Sequence, residues 1–514
     1  MSNAVSRGTS PTGRAVFRRS WPVVLAAIGL LLYGQGGASA SAQPAHPAAT
    51  PVFNVKSFGA TGNGSTNDTP AINKAIAAAN KAGGGIVEVP SGTFKAGGSI
   101  HMMSNVTIQL DSGSTLAGAG SGYDAPEANP NDKFQDFGHS HFHDAMIWGD
   151  KLTNIGFTGS GTIDGGGHFI TGNPKSGQAD KLISLTRCDG LTLNGITLKR
   201  GGHFAILTND CGNITSDHLT IATASDRDGW NVINAQHVHI TNITDASNDD
   251  ALVFKSDWAL GQTLNNGDVT VTGAHLSAQC CNALMFGSET CGNFTNYTFT
   301  DITITHAGKS GLGMVSMDGA NISNVTYNNV TMSGTASPIM AKIGSRLRCG
   351  GKPTVGSISD IHYNGVTGTN AGAFSPTLWG RSGHDISNVT FTNVNLTLPG
   401  GHAAMSTGVP SDNGDYNPNS LGTRPAYGFY LHFVTGVSFM NSSVKFSKND
   451  GRPAFIANSA GPVRFDHVTA QSGSGSPFDI GFQTVNGFCV TNSTTTTGSA
   501  LRANTTGSTQ SCSG

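Results

Sequence analysis

Charge is scarce in this chain. Charged residues are 12 % of its 514, about half the usual fraction of roughly 25 %. The two signs nearly cancel, with 29 Lys and Arg against 31 Asp and Glu and a formal net charge of −2. Such a chain lacks the basic excess that binding to a phosphate backbone needs, so nucleic acid is not an expected partner. It also lacks the high net charge that accompanies disorder. Beyond residue 42 there is no apolar run long enough to cross about 30 Å of hydrocarbon, so no membrane span is expected once the N-terminal segment is removed. No C-x-x-C pair occurs, and adjacent Cys280 and Cys281 make poor zinc-ligand geometry. No metal and no cofactor are therefore expected. What is abundant is glycine, with 70 residues, about twice the usual share of about 7 %. Excess Gly, Asn, Thr and Ser with few Leu, Lys and Glu point to many turns and strands and little helix. Hydrophobic residues at 37 % suffice for a long, thin core.

The N-terminus has the form of an export signal. Arg7, Arg14, Arg18 and Arg19 precede the apolar run Trp21 to Tyr33, and Ala38-Ser39-Ala40 offers a cleavage site. Residues 1–42 are read as a signal peptide, 43–52 as a flexible leader and 53–514 as one domain. Within it, 53–104 is the N-terminal cap region and 491–514 a loose tail unless a disulfide pins it. The mature protein is expected outside the cytoplasm, secreted or periplasmic, and monomeric. Eight cysteines, all beyond the signal, favour disulfides in an exported protein. Cys188 and Cys211 stand 23 residues apart, as do Cys489 and Cys512, and both pairs are expected to be bonded.

One pattern recurs at intervals of about 20 to 30 residues. An Asn or Asp is followed by a β-branched residue, a polar residue and an apolar one. Asn105-Val106-Thr107-Ile108, Asn154-Ile155-Gly156-Phe157, Asn324-Val325-Thr326-Tyr327 and Asn388-Val389-Thr390-Phe391 are examples. Each strand alternates apolar and polar positions, and turns rich in Gly, Asn, Asp and Ser separate them. Propeller blades need about 40 to 45 residues, whereas one turn of a parallel β-helix fits the observed period. Roughly fifteen turns at about 4.8 Å each make a rod on the order of 70 Å long. Its ends need caps. The one good helix, over 69–82, begins at Asp68 or Thr69 with Pro70 in its first turn and stops at Gly83-Gly84-Gly85. It is expected to close the N-terminal end.

Against this neutral background the acidic segments stand out. Asp226-Arg227-Asp228 is followed by Asp249-Asp250, with Asp228 and Asp249 21 residues apart, about one turn. That spacing places them on adjacent rungs of one face. Glycoside hydrolysis needs two carboxyl functions, one protonated and one ionised. Carboxylates held close raise the pKa of one of them.

Here the chain resembles glycoside hydrolase family 28, the polygalacturonase and rhamnogalacturonase family of right-handed parallel β-helices. The opening Phe53 to Ile72 and the segment Gly83 to Phe94 match motifs shared by many β-helix enzymes, and Asp226-Arg227-Asp228 with Asp249-Asp250 is the more specific match. The resemblance runs from about residue 53 to about residue 345 and implies an inverting glycosidase. By motif position it implies Asp249 as general acid, with Asp228 and Asp250 activating water. Two family motifs are absent: Asn282-Ala283 stands where Gly-His-Gly belongs, and Gly313-Met314-Val315 where Arg-Ile-Lys would grip a uronate carboxylate. Asp226, Asn282, Glu289, Lys309, Lys342 and Arg346 are the candidate substrate-binding residues.

Other features bear on the cleft. His139, His141 and His143 would share one face by alternation, as solvent-facing or sugar-contacting groups in preference to metal ligands. Trp148, Trp230, Trp258 and Trp379 are sugar-stacking or packing residues. The Gly-, Pro- and Ser-rich stretches 345–385 and 400–428 read as cleft loops. Two other classes fit the same residues. A calcium-dependent β-helix polysaccharide lyase would use the aspartates as calcium ligands and Lys255 or Arg346 as base. A non-catalytic carbohydrate-binding β-helix would need no acid at all.

Overall fold

The computed structural model describes residues 50–370, 372 and 374–512. The signal peptide and most of the leader lie outside the described residues, as do 371, 373, 513 and 514. The chain is a right-handed parallel β-helix. Short strands pair with the strand one turn on, and every strand-to-strand pairing is parallel, as in Asp189–Asn194 on Gly212–Asp217. Three ladders run along the solenoid. The first passes through Val106–Leu110 and Thr153–Gly159, the second through Ser114–Gly118 and Thr162–Asp164. The third carries Lys181–Thr186, Phe204–Asn209, Asp228–Ile233, Leu252–Ser256 and Leu284–Thr290 on successive turns.

The recurring Asn or Asp has a backbone reason. Asn105, Asn154, Asn213, Asp268, Asn296, Asn324 and Asn388 all sit at positive φ, between 51° and 66°. Asn and Asp visit this left-handed region more readily than other residues with a side chain. Their side chains then bond from turn to turn: Asn296 Nδ2 donates to Asp268 Oδ1 at 2.8 Å and Asn324 Nδ2 to Asn296 Oδ1 at 2.7 Å. The sequence motif is thus the corner of each coil.

Inside, in-register residues stack. Phe299, Tyr327, Tyr363, Phe391, Phe439 and Phe465 lie on consecutive turns. Their ring centroids are 4.6 to 5.1 Å apart and their planes within 15° of parallel. The spacing is that of the strands themselves, so the backbone register sets the ring contact.

The capping helix spans Thr69–Lys81 and buries Ala71, Ile72, Ala75, Ile76 and Ala79. Asp68 is its N-cap residue, but its side chain makes no cap bond. The carboxylate instead accepts the Thr61 N–H at 2.7 Å and the Gly62 N–H at 3.2 Å, tying the preceding loop to the helix start. Val52, placed in the leader by sequence, begins the first strand and pairs with Ile86. Both expected disulfides, Cys188–Cys211 and Cys489–Cys512, are present. The latter ties the final segment, where Ala503–Thr506 adds a further strand. Cys291–Cys349 and the adjacent pair Cys280–Cys281 complete the set. The stretch 345–385 is not a single loop, because Ser357–Thr369 forms a long strand within it.

The Tyr327 hydroxyl is buried without a partner. Tyr327→Phe should therefore leave chemical stability unchanged or slightly raised, since an unsatisfied polar atom is removed. Tyr327→Ala should cost about 3–5 kcal/mol by opening the stack. Equilibrium denaturation of the three proteins checks both.

Candidate active site

The site is built on the outer face of the third ladder. Trp230, Leu252, Leu284 and Leu312 are in register and buried in the core. Polar residues at the starts of these rungs and in the turns before them make the opposite face. Three turns run side by side: the Asp249 N–H bonds to the Arg227 carbonyl at 3.1 Å, Gly229 N–H to the Asp250 carbonyl at 2.8 Å, and Ala251 N–H to the Asn282 carbonyl at 3.0 Å. The sequence spacing of one turn thereby brings Asp228, Asp249 and Asp250 together. Gly229 is required beside them, because a Cβ there would lie 2.1 Å from Asp245 Oδ2.

Asp228 is buried, with Oδ2 accepting from Asn231 Nδ2 at 3.1 Å and Lys255 Nζ at 3.5 Å. Its Oδ1 has no partner. Burial pushes its pKa up to about 8, against the pull of Lys255, and the neighbouring Asp249 and Asp250 push the same way. Asp250 is also raised, first by burial and then by Asp249. Its Oδ1 accepts both the backbone N–H and the side-chain amide of Asn282, at 3.0 and 2.8 Å. Asp249 is half-buried, 3.4 Å from Arg227 Nη2. Asn282 thus orients Asp250, and its side-chain carbonyl accepts the Ser310 N–H at 3.1 Å.

A buried ionic layer backs this cluster. Lys255 Nζ lies 3.7 Å from Glu289 Oε2 and 3.3 Å from His139 Nε2. Glu289 also takes Arg348 Nη2 at 2.7 Å. Burial opposes its charge, but Lys255, His139, Arg346 and Arg348 outweigh that and hold it well below the usual carboxylate range. His139 is pushed down to about 3 by burial and by Lys255. Arg346 is clamped on Asp318, at 2.8 Å from Nε and 2.5 Å from Nη2, and on the Ser288 carbonyl at 2.6 Å.

The remaining sequence candidates divide. Lys309 stands at the cluster, raising its cation toward Tyr416 at 3.5 Å and over that ring at 5.3 Å. Lys342 is fully buried, and its three ammonium hydrogens go to Asp412 Oδ1 at 2.6 Å, the Asp415 carbonyl at 2.5 Å and Ser420 Oγ at 3.2 Å. It anchors the 400–428 loop, which lays Tyr416 over Val253, Met285, Val315 and Met317. Asp226 points elsewhere; the charges it feels are Arg200 and Asp164.

His139 and His141 are buried, contrary to the solvent-facing expectation, because residues 137–140 form a helical turn that breaks the alternation. His141 stacks on Phe137 and His143 on Trp148. Trp230 is a core residue with no exposed surface, so it is no sugar platform. Arg227, Arg348 and Tyr416 were missed in the sequence. Arg227 could have been found, since it stands between the two aspartates; Tyr416 lies far along the chain, and only the fold brings it near.

Clustered carboxylates, two of them with raised pKa and with cations beside them, thus lie together on one face of the β-helix. A sequence profile described as "Glycosyl hydrolases family 28" matches residues 85–414, well over half of the chain. The chain belongs to that family and is a glycosidase. It is 26 % identical to an endo-polygalacturonase of Pectobacterium carotovorum subsp. carotovorum over 65 % of this chain and 85 % of that one. It is 24 % identical to an exopolygalacturonase of Platanus acerifolia, over 69 % and 93 % of the two chains. Among solved structures, a hyperthermoactive exopolygalacturonase from Thermotoga maritima shares the fold with a TM-score of 0.57 at 15 % identity, covering 78 % of this chain and 93 % of its own.

Burial also raises Asp245 and Asp257 from 3.8 to about 7. The folded state then binds protons that the unfolded state has released, so these groups stabilise at acid pH and the contribution is lost as pH rises from about 4 to about 7. Asp245→Asn should flatten that part of the melting-temperature profile, which calorimetry across pH 4 to 8 would check.

Proposed function

We propose that this protein is an exported, inverting glycosidase that cleaves a galacturonate-containing, pectic polysaccharide. The observation that carries this reading is the juxtaposition of Asp228, Asp249 and Asp250 on adjacent turns, with burial and mutual repulsion raising two of them. Asp249, half-buried at the surface of the cluster, gives its proton to the glycosidic oxygen as the bond to the anomeric carbon breaks. Asp228 and Asp250 hold a water that attacks that carbon from the opposite face, one of them taking its proton. The raised pKa of Asp228 argues for a carboxylic acid, whereas this role needs a carboxylate. Lys255 at 3.5 Å pulls toward the carboxylate that this role needs without outweighing burial, so Asp228 fills the role in the fraction of molecules in which it is ionised, which grows as pH rises toward about 8.

The names of the relatives support a uronate substrate, and the charges here suit one. With Arg346 clamped and Lys342 buried, Lys309, Arg227 and the partly exposed Arg348 are the candidate cations to meet a sugar carboxylate among the described residues. Export is supported by four disulfides among the described residues, which persist in oxidising compartments. The lyase reading lacks a base: Lys255 is held protonated by Asp228 and Glu289 despite burial, and Arg346 is bound to Asp318.

The test is product release from polygalacturonate and other pectic and neutral glycans by residues 43–514. New reducing ends should form without ultraviolet-absorbing unsaturated sugars, and Asp249→Asn should lower kcat by about 10²–10⁴-fold. Full activity in that variant, or an unsaturated product, would remove the reading. Lys309→Ala should raise KM for the acidic substrate several-fold with a smaller change in kcat, as loss of a ground-state contact does.

A further inference from the structure

The Cys280–Cys281 bond lies against the proposed acid. The sulfur of each cysteine and a carboxylate oxygen of Asp249 are all within 4.8 Å of one another. The contact is built into the ladder. Cys280 N–H bonds to the Asn248 carbonyl at 2.7 Å, Lys309 N–H to the Cys281 carbonyl at 2.9 Å, and the next residue, Asn282, holds Asp250. The turn bearing the two cysteines therefore stacks directly on the turn bearing the two aspartates. Gly308 lets the following turn approach just as closely, since a Cβ there would lie 2.4 Å from the Cys280 carbonyl oxygen.

Asp249 is otherwise surrounded by groups that are accounted for. Arg227 meets its Oδ2 at 3.4 Å and the Asp250 N–H its Oδ1 at 3.0 Å. Asp228, Asp250, Lys255 and Tyr416 are the further titratable groups near enough to feel its charge. The disulfide differs from all of these in kind. It has no hydrogen to donate and no charge. Reduced, the same two residues would present two S–H donors to the carboxylate. Donors to the ionised form favour ionisation, which weakens a proton-donating acid.

We infer that the Cys280–Cys281 disulfide is a positioning element that keeps one flank of Asp249 free of hydrogen-bond donors, and that its reduction switches the enzyme down. This rests on the assignment of Asp249 as the acid. Cys280 is exposed, so a small dithiol can reach it. A reagent thiolate attacks one sulfur, forming a mixed disulfide, and the other cysteine leaves as thiolate and takes a proton. The second reagent thiol then closes a cyclic disulfide and releases the remaining cysteine thiol. Two electrons pass from the reagent to the protein sulfurs, and the reagent is oxidised.

The test compares wild type, Cys280→Ala/Cys281→Ala, Cys280→Ser/Cys281→Ser and Asp249→Asn, each with and without dithiothreitol. Alkylation and peptide mass mapping identify which disulfide has opened. In wild type, reduction at 280 and 281 should lower kcat about tenfold, the scale of a hydrogen bond to a charged group. KM should be unchanged, the basic limb of the pH–kcat profile should move to lower pH, and reoxidation should restore all three. The alanine pair, donor-free, should lose less kcat than the serine pair and ignore the reagent. The serine pair, with permanent donors, should resemble reduced wild type and also ignore it. Unchanged kcat in wild type with mapped thiols at 280 and 281 would overturn the inference. So would an alanine pair as sensitive to the reagent as wild type, which would place the effect at another disulfide. Full activity of Asp249→Asn would instead overturn the assignment of the acid on which it rests.

Discussion

Parallel stacking in register is the constraint on which everything else in this protein depends. A residue in one turn lies directly over its counterpart in the next, at the spacing of hydrogen-bonded strands. This converts a separation of 21 residues between Asp228 and Asp249 into neighbouring positions. It also aligns Phe299, Tyr327, Tyr363 and Phe391 into one column of rings. The same rule that builds the core therefore concentrates like charges on the outer face. The cost of that concentration is met locally by Lys255 and by the hydrogen bonds from Asn231 and Asn282.

The cluster shows how burial and pairing divide similar groups. Asp228 and Glu289 are equally buried carboxyls that share Lys255. Asp228 faces two further aspartates and is raised; Glu289 faces Arg346, Arg348 and His139 and is lowered. The carboxyl on one side of Lys255 therefore holds its proton to higher pH, while the one on the other side stays charged. Glu289 then reads as the counterion that keeps Lys255 protonated.

Much of the architecture was legible because one turn repeats. The αL corner selects Asn or Asp, and the alternation of apolar residues marks the inward positions, so period, fold and the three-aspartate face all follow from the sequence. What was not legible depends on contacts between distant segments. Lys342 looks like a cleft cation in sequence, yet the 400–428 loop covers it. His139 looks solvent-facing until a helical turn folds it under Glu289. The bond between Cys280 and Cys281 was read past, because adjacency argued only against metal binding. Its place beside Asp249 needed the register of two turns.

Under the proposed mechanism these carboxylates direct a single displacement by water at the anomeric carbon. Proton magnetic resonance of the first sugar released from an α-linked galacturonate oligomer, recorded before mutarotation, tests it most directly. Inversion would make the β-anomer appear first, with the α-anomer growing in later. An α-anomer appearing first would mean a covalent glycosyl-enzyme and a nucleophilic aspartate, and would contradict it.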